Sequence, residues 1–253
     1  IEPYEVIDFS ANINPLGPSQ CGLDALNNQL RYISHYPDAT NDDVLNAIAD
    51  TYGMDKNQII VGNGAAELLY AICRLPGYTG AFVPAPGFSE YKEALEASNI
   101  PVRDIFYRPR EDDNEKPYFE VPYLALETFA AELKGQDGRI IVFLGNPNNP
   151  DGTLLDKAHI RTVATMLKDA NSLLVIDESF IDFVGNDPLR DNDQSMRSLI
   201  NEFDNIIVVH SFTKFYAVPG LRIGAAFGNE KLISQLHQYI PSWSVNTLAQ
   251  AYT

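Results

Sequence analysis

The feature that most constrains this chain is an apolar run followed at once by a polar turn, within residues 205–224. The β-branched run 206–209 is typical of a strand buried on both faces of a sheet. Lys214 lies in the turn that follows, and α/β proteins bind ligands at the carboxyl ends of such strands. Taken alone, the turn is equally well explained as a solvated surface loop, because lysine is usually exposed.

The residues near Lys214 favour a phosphate ligand. Ser211 and Thr213 offer hydroxyls, and Arg222, eight residues beyond the lysine, offers a fork of N–H donors. Two hydroxyls and a guanidinium suit a phosphate dianion. A lysine beside a bound phosphate indicates a phosphorylated aldehyde that is held as a Schiff base.

Two more apolar runs end in polar segments. GNPNNPDG, which contains Asn149, follows the run 139–144, and Asp177 follows the run 172–176. A carboxylate directly after a buried strand is costly unless it is paired, so Asp177 either caps a turn or binds a cation. Because Asn149, Asp177 and Lys214 each follow a successive strand, they can converge on one edge of a sheet.

A strand, a glycine turn and a helix are predicted near the start of the chain, over 58–61, 62–64 and 65–75. Glycine lets a backbone come close to a ligand, and a helix start offers free N–H groups and a positive dipole end. This pattern alone is weak evidence for phosphate binding. Together with Ser211 and Arg222 it predicts a phosphate site.

Alternating strands and helices predict an α/β fold with three layers, in which a mostly parallel sheet lies between helices. A capping box of Thr40 and Asp43 predicts a helix that extends to Tyr52. The charged stretch 108–121 is expected to be a solvated surface loop or the edge of an insertion, and no function is assigned to it. Other helices are expected over 21–33, 124–133, 156–170 and 230–239, and a long one is expected to begin near Trp243.

The string SFTKFYAVPGLRIG resembles the lysine motif of fold-type I pyridoxal 5′-phosphate enzymes, which form the aspartate aminotransferase superfamily. The chain is most similar to the branch that holds threonine-phosphate decarboxylase and histidinol-phosphate aminotransferase. The resemblance implies pyridoxal 5′-phosphate as the cofactor, with Lys214 as its Schiff-base lysine. The residues implied to hold the cofactor phosphate in this subunit are Gly64, Ala65, Ala66, Ser211, Thr213 and Arg222.

The same resemblance implies roles around the cofactor ring. Asp177 would pair with the protonated pyridine nitrogen, and Asn149 would donate to the ring oxygen O3′. Phe88 would stack on the ring, although a core aromatic is the ordinary alternative. Many aminotransferases carry a tyrosine three residues after the aspartate, as a second donor to O3′, and this chain has Phe180 there.

The opening string DFSANINPLGP resembles the N-terminal arm of the decarboxylase branch, which lies across the active-site mouth. Asn14, Leu16 and Gly17 would then line the substrate pocket; the alternative is a disordered terminal arm. Tyr36 is implied to reach the cofactor phosphate of a partner subunit, which would require a homodimer. Otherwise its ring packs against a neighbour.

The resemblance divides the chain into an arm with the first helix, residues 1–38, and a large cofactor-binding domain, residues 39–253. Members of the family continue into a small C-terminal domain that supplies an arginine for the substrate carboxylate. No such domain is expected in this sequence, so the small domain is either truncated or absent.

Decarboxylation of L-threonine O-3-phosphate to (R)-1-aminopropan-2-yl phosphate, for cobalamin biosynthesis, is the activity that the resemblance favours. The strings that favour it are DFSANINPLGP, GNGAAELLY, DESFIDF, TKFYAVPGLR and WSVNTLAQ. One alternative is histidinol-phosphate aminotransferase, which passes its amino group to 2-oxoglutarate. Another is a non-catalytic protein that keeps the cofactor fold, which the intact Lys214, Asp177, Asn149 and Arg222 argue against.

Composition limits the partners. With 34 acidic and 18 basic residues the net charge is −16, which argues against nucleic acid as a partner but does not indicate the substrate. The resemblance implies a small phosphorylated amino acid as the substrate. No apolar run approaches the roughly 20 residues of a membrane helix, and no signal peptide is visible. Two cysteines without a CxxC spacing fit a reduced, cytoplasmic setting, and four scattered histidines predict no metal site.

Overall fold

The computed structural model describes residues 11–111, 117–132, 138–185 and 193–253. Within them, the predicted α/β fold with three layers is confirmed. The helices are α1 Gln20–Gln29, α2 Asp42–Tyr52, α3 Gly64–Cys73, α4 Glu90–Ala97, α5 Tyr123–Glu132, α6 Lys157–Asp169, α7 Phe212–Phe215, α8 Glu230–Leu236 and α9 Thr247–Tyr252. The strands are β1 Ile59–Gly62, β2 Tyr78–Ala85, β3 Val102–Phe106, β4 Arg108–Glu111, β5 Pro117–Glu120, β6 Arg139–Gly145, β7 Leu173–Asp177, β8 Ile206–Ser211 and β9 Gly224–Gly228.

Seven strands form the central sheet, in the order β1-β9-β8-β7-β6-β2-β3. Five neighbouring strands of this sheet, β8, β7, β6, β2 and β3, pair in parallel, and β9 runs antiparallel between β8 and β1. Ser211 at the end of β8 pairs with Gly224 at the start of β9. Residues 212–223 therefore form one loop that leaves and rejoins the same edge of the sheet, and this loop carries both Lys214 and Arg222.

The sheet is buried on both faces, as its apolar strands predict. In β7, Leu174 and Ile176 pack in one hydrophobic cluster with α2, α5 and α6. Leu173 and Val175 pack in a second cluster with α3, α4 and α8. Burial of an aliphatic side chain contributes roughly 1.5–3 kcal/mol, so this double packing fixes the strands whose ends carry the polar residues.

Two expectations are wrong. The stretch 108–121 was expected to be a loop, yet β4 and β5 pair as an antiparallel hairpin, with a 2.7 Å ion pair from Arg110 to Glu120. Its strands are exposed, so they lack the apolar alternation by which a strand is recognised. The capping box of Thr40 and Asp43 does not form, because the Thr40 hydroxyl binds Asp38 and Asn41 precedes the helix with a left-handed φ of 53°.

Several helices end sooner than expected. The first stops at Gln29, and a short 3-10 turn over Leu30–Tyr32 continues it. The helix expected over 230–239 likewise ends at Leu236 and continues as a 3-10 turn. The helix expected near Trp243 begins only at Thr247. Across the described part of the chain, none of the helices has the length and apolar character needed to cross a membrane.

Candidate active site

The strand registers bring the polar segments together at the carboxyl edge of the sheet. Gly145 at the end of β6 pairs with Asp177, and Asp177 pairs with Val209 in β8. On the other side of β8, Gly224 pairs with both Ser211 and Gly62. The segments that carry Asn149, Asp177, Lys214 and the glycine turn thus meet at one edge, as the sequence predicts.

Lys214 lies in α7, a single turn that begins directly after β8, and its side chain is half-buried. Burial lowers its pKa below the ordinary value, and the positive charge of Arg222 lowers it further. The Asp177 carboxylate acts in the opposite direction. Lys214 is therefore an amine that loses its proton more readily than a surface lysine, which a Schiff-base lysine requires.

Arg222 lies against the start of α3. A Cβ at Gly64 would overlap the Arg222 guanidinium, so only glycine, here with a φ of +81°, permits this approach. The guanidinium has one long hydrogen bond, 3.4 Å to the Pro219 carbonyl, and within the described residues it forms no ion pair with a carboxylate. Its remaining N–H groups are thus available for an anion.

The start of α3 adds backbone donors to this cation. The first amides of a helix have no partner within the helix, and Ala65 and Ala66 lie in the first turn. β9 approaches this turn so closely that a Cβ on Gly224 would stand 2.5 Å from the Ala65 nitrogen. Gly224 is therefore required for the close contact between the lysine loop and the glycine turn.

Ser211 and Thr213 complete the cationic end of the site. Both are buried, and their hydroxyl oxygens lie 2.8 Å apart. Ser211 also accepts a hydrogen bond from the Thr213 amide, at 3.4 Å. Only one of the two hydroxyl hydrogens is used in their mutual bond, so the other remains for a ligand.

Asp177 forms the anionic end. It is 6% exposed, and its two oxygens are held by different elements. Oδ1 accepts from the backbone amide and the hydroxyl of Ser179, at 2.9 and 2.6 Å. Oδ2 accepts from the Tyr91 hydroxyl in α4, at 2.9 Å. Three donors stabilise the charged carboxylate in this buried position.

The asparagines in the turn after β6 differ in whether their side chains are already hydrogen-bonded within the protein. Asn146 is fully buried and donates to Glu178 and to the Gln194 carbonyl. Asn148 donates to the Pro86 carbonyl and to Asp151. The Asn149 side chain makes no hydrogen bond to another described residue. Its amide remains available, and its predicted bond to O3′ stays a prediction.

Phe88 is 37% exposed, and its ring meets Tyr91 edge-to-face at 5.6 Å. The ring is therefore not fully enclosed in the core, and its stacking on the cofactor ring stays a prediction. Phe180 lies just after the Asp177–Ser179 turn, half-buried, with its ring 6.4 Å from that of Phe183. This position offers no hydroxyl to a ligand.

The arm is docked on the lysine loop. The Asn14 amide nitrogen donates to the Lys214 carbonyl at 3.0 Å, and its side chain donates to the Phe215 carbonyl at 2.8 Å. Leu16 is 89% exposed, and Gly17 has a φ of +75° with open space around it. The structure thus brings Asn14 to the site through the backbone; the first three residues of the string DFSANINPLGP lie outside the described range.

Tyr36 lies apart from these residues in the single chain. It is 81% exposed, and its ring contacts Trp243, with centroids 4.9 Å apart. An exposed pair of large aromatic rings is the kind of surface that a partner covers. The predicted contact of Tyr36 with the phosphate of a second subunit is not tested by one chain.

The arrangement fits pyridoxal phosphate. One end combines a guanidinium, helix amides and hydroxyls, which suit a phosphate. The other end holds a buried carboxylate, which suits a protonated pyridine nitrogen. Besides burial, the charge of Arg222 lowers the pKa of Lys214 and that of Asp177 raises it, so the lysine is close enough to both ends to interact with them. A separate apolar cavity of about 450 Å³ between α5 and the sheet contains none of these residues.

The hydrogen-bond donors that hold the Asp177 carboxylate were not predicted from the sequence. A tyrosine within an amphipathic helix is normally a core residue, so no local signal marks Tyr91 as a donor to a carboxylate 86 residues away. The hydrogen bonds from Asn14 to Lys214 and Phe215 join residues 200 and 201 positions apart, so no local sequence signal predicts them either. Ser179 could have been found, because a serine two residues after an aspartate commonly bonds to its carboxylate in a turn.

Comparisons with known proteins agree with this geometry. The chain matches the family model for aminotransferase class I and II over residues 4–253. It is 32% identical over 250 residues to the threonine-phosphate decarboxylase of Salmonella typhimurium. That alignment covers 98% of this chain and 64% of the relative. It is also 32% identical over 251 residues to a histidinol-phosphate aminotransferase of Methanothermobacter thermautotrophicus, with 98% and 61% covered.

Among solved structures, the L-threonine-O-3-phosphate decarboxylase of Porphyromonas gingivalis superposes with a TM-score of 0.73 at 27% identity. The match covers 98% of this chain and 67% of that one. The chain spans less than two thirds of the length of the two curated relatives.

Proposed function

This chain belongs to the aminotransferase class I and II family, and on that premise we propose that it decarboxylates L-threonine O-3-phosphate to (R)-1-aminopropan-2-yl phosphate. Its cofactor is pyridoxal 5′-phosphate. When bound, the cofactor supplies an aldehyde that takes up the substrate amine and a ring that withdraws electrons from the α-carbon. Decarboxylation would require the residues of the site to hold the substrate so that the bond to its α-carboxylate, and not the bond to its α-hydrogen, is the one that breaks.

Lys214 is the catalytic residue of this proposal. Its lowered pKa, due first to burial and then to Arg222, favours release of its amine to the substrate. When the carboxylate leaves as CO₂, its bonding electron pair stays with the α-carbon. The Lys214 amine, once it has taken up a proton from water, would deliver that proton from Nζ to the α-carbon, where it replaces the lost carboxylate.

Asp177 and the cationic end of the site would hold opposite ends of the cofactor. The Asp177 carboxylate keeps the facing ring nitrogen protonated, and the Tyr91 and Ser179 donors hold it in place. The phosphate dianion would be bound by Arg222, Ser211, Thr213 and the α3 amides. Asn149 would donate to O3′, and Phe88 would cover one face of the ring.

The observation that carries decarboxylation over transamination is Phe180, in the turn that holds Asp177. Its benzyl side chain supplies no donor to O3′, whereas many aminotransferases use a tyrosine hydroxyl there. The motif strings of the arm and of the lysine loop support the same choice. Equal identity to the Methanothermobacter relative keeps histidinol-phosphate aminotransferase as the second candidate.

Product analysis separates the two reactions. Full-length protein is mixed with threonine phosphate alone, and separately with histidinol phosphate alone. Repeated release of CO₂ from the first, without any 2-oxo acid, supports the decarboxylase. No CO₂ from threonine phosphate, together with a single bleaching of the cofactor by histidinol phosphate that 2-oxoglutarate restores, would assign the aminotransferase instead.

We also propose that the active site is completed in a homodimer. Tyr36 and Trp243 form an exposed aromatic pair, and Leu16 and Ile33 are exposed by 89% and 64%. Such apolar surface is typical of a subunit interface. Sedimentation at assay concentration should show an active dimer, and an active monomer would contradict this part of the proposal.

A further inference from the structure

A buried polar cluster lies behind the candidate site and contacts neither end of it directly. Glu178 and His210 are fully buried, Asp182 is 3% exposed and Arg197 is 8% exposed. Ionisable groups are costly to bury unless they are paired, and such clusters fix the geometry of the segments that carry them. Here those segments are the turn that follows Asp177 and the strand that precedes Lys214.

His210 connects these two segments through both of its ring nitrogens. Nδ1 lies 3.1 Å from the carbonyl oxygen of Glu178, the residue directly after Asp177. Nε2 lies 3.0 Å from Oδ2 of Asp182. His210 itself is in β8, four residues before Lys214. The His210 ring therefore links strand β8, which leads to Lys214, to residues 178 and 182 of the turn that follows Asp177.

The two contacts of the ring differ in geometry. A carbonyl oxygen only accepts, so Nδ1 donates to the Glu178 carbonyl. Nε2 lies within ion-pair distance of the Asp182 carboxylate. The Nε2–Oδ2 contact is an ion pair by distance rather than an aligned hydrogen bond, because these two atoms lack a hydrogen-bond partner of good geometry in the described chain.

Neighbouring elements close the cluster around this pair. Tyr52 in α2 packs edge-to-face on His210 at 6.0 Å, and the Arg197 guanidinium lies 4.0 Å from the Tyr52 ring centroid. Arg197 Nη1 is 3.9 Å from Glu178 Oε2. The Glu178 carboxylate also accepts from Ser195 and from the Met196 amide, at 2.7 and 2.6 Å.

We infer that His210 and Asp182 are a pair of positioning residues, which hold the Asp177 turn against the Lys214 strand and so fix the spacing of the two ends of the site. The backbone supports the same connection, because the Glu178 amide donates to the Val209 carbonyl at 2.7 Å. The inference rests on the proposed cofactor roles of Asp177 and Lys214. It adds two residues that act through those groups without touching the cofactor.

Asp182→Ala tests the pair, because it removes the partner of Nε2 and leaves the Nδ1 contact intact. We expect the affinity for pyridoxal phosphate to fall about tenfold, and the visible circular dichroism of the bound cofactor to change because its ring orientation changes. Asp182→Asn keeps an acceptor at the same place. It should restore most of the affinity and of the dichroism.

The chain offers a matched control. Asp156 and His159 form a second aspartate–histidine pair, with Oδ1 and Nδ1 3.0 Å apart, on the exposed start of α6. Asp156→Ala removes the same side chain and a helix cap, so it lowers thermal stability as well. A positioning role predicts that only Asp182→Ala changes the dichroism and the affinity.

Equal effects of the two alanine variants, or affinity and dichroism within twofold of wild type in Asp182→Ala, would overturn the inference. If Asp182→Ala fails to fold, His210→Gln decides, because one carboxamide cannot meet both acceptors and should give the same loss. Unchanged cofactor binding in His210→Gln would overturn the inference. These readouts need no substrate, so they remain informative if threonine phosphate is not decarboxylated.

Discussion

The hydroxyl of Tyr91 donates a 2.9 Å hydrogen bond to the Asp177 carboxylate, and both side chains are buried. The Tyr91 ring stacks on Phe143 in β6, with centroids 5.2 Å apart. Burial, together with the Asp177 charge, raises the pKa of Tyr91 well above its ordinary value, so the hydroxyl keeps its proton. It therefore acts as a permanent donor to the carboxylate that we propose as the partner of the cofactor ring.

Tyr91→Phe should weaken cofactor binding without unfolding the chain. The change removes one hydroxyl and keeps the ring, so the packing on Phe143 remains. A hydrogen bond to a charged group contributes about 1.5–3 kcal/mol, which corresponds to a rise of roughly tenfold or more in the dissociation constant of pyridoxal phosphate. Titration of the apoprotein, followed by absorbance, measures this constant.

Tyr78→Phe is the matched control for this prediction. It also removes a tyrosine hydroxyl that contacts a charged group, since Arg139 donates to Tyr78 at 2.9 Å. Tyr78 begins β2, at the opposite edge of the sheet from the site. Equal cofactor affinity in the two variants would show that the bond from Tyr91 to Asp177 has no special role.

Asp177→Ala should retain some cofactor and lose nearly all turnover. The phosphate-binding groups and Lys214 remain in this variant, but the ring nitrogen loses its counter-ion and the ring accepts electrons poorly. Steady-state rates at saturating cofactor provide the measurement. Activity within about tenfold of wild type, roughly 1.4 kcal/mol of barrier, would show that Asp177 is not the partner of the ring nitrogen.

Gly64→Ala should displace Arg222 and weaken binding of the cofactor phosphate. The new methyl group would overlap the Arg222 guanidinium, and the left-handed backbone adds roughly 1–2 kcal/mol of strain. Gly53→Ala introduces comparable strain at a φ of +63° with nothing within 4 Å, so it controls for the backbone. Affinity for pyridoxal phosphate should fall more than tenfold in the first variant only.

The pH dependence of stability should reveal the lowered pKa of Lys214. In the folded apoprotein this pKa lies below the ordinary value of 10.5, so between the two values the unfolded chain binds more protons. The free energy of unfolding therefore gains a contribution that rises with pH across this window. Lys214→Met removes that contribution.

Thermal unfolding of apo wild type and of apo Lys214→Met over pH 7–9.5 tests whether the contribution of Lys214 to the free energy of unfolding rises with pH. The methionine variant should be the more stable protein at pH 7, and the difference should narrow as the pH rises. A difference that stays constant, or widens, would mean that the amine is not destabilised by its surroundings in the folded state.

The polar residues at the carboxyl edge of the sheet could be predicted because the strands that precede them have local sequence signals. Long apolar runs mark β6, β7 and β8, and the carboxyl ends of parallel strands meet by geometry, which brings Asp177 and Lys214 together. The antiparallel placement of β9 was not predicted. The strand is only five residues long, and four of the five are glycine or alanine, so it lacks the hydrophobic alternation by which a strand is recognised.

The contacts that secure the site could not be predicted, because each joins residues distant in sequence. Asn14 binds the lysine loop, Tyr91 binds Asp177, and His210 binds Asp182. Nothing in the pattern around His210 distinguishes a buried ion pair from a polar residue at a strand end. Only the register of β7 with β8 brings the two groups within 3.0 Å.

The central claim is that Lys214 is the residue that holds the cofactor, and one measurement tests it directly. Pyridoxal phosphate is added to the full-length protein, the adduct is reduced with borohydride, and the labelled peptide is sequenced by mass spectrometry. The account predicts a single reduced phosphopyridoxyl group on Lys214, and none in Lys214→Met. A label on another lysine, or equal labelling of Lys214→Met, would contradict it.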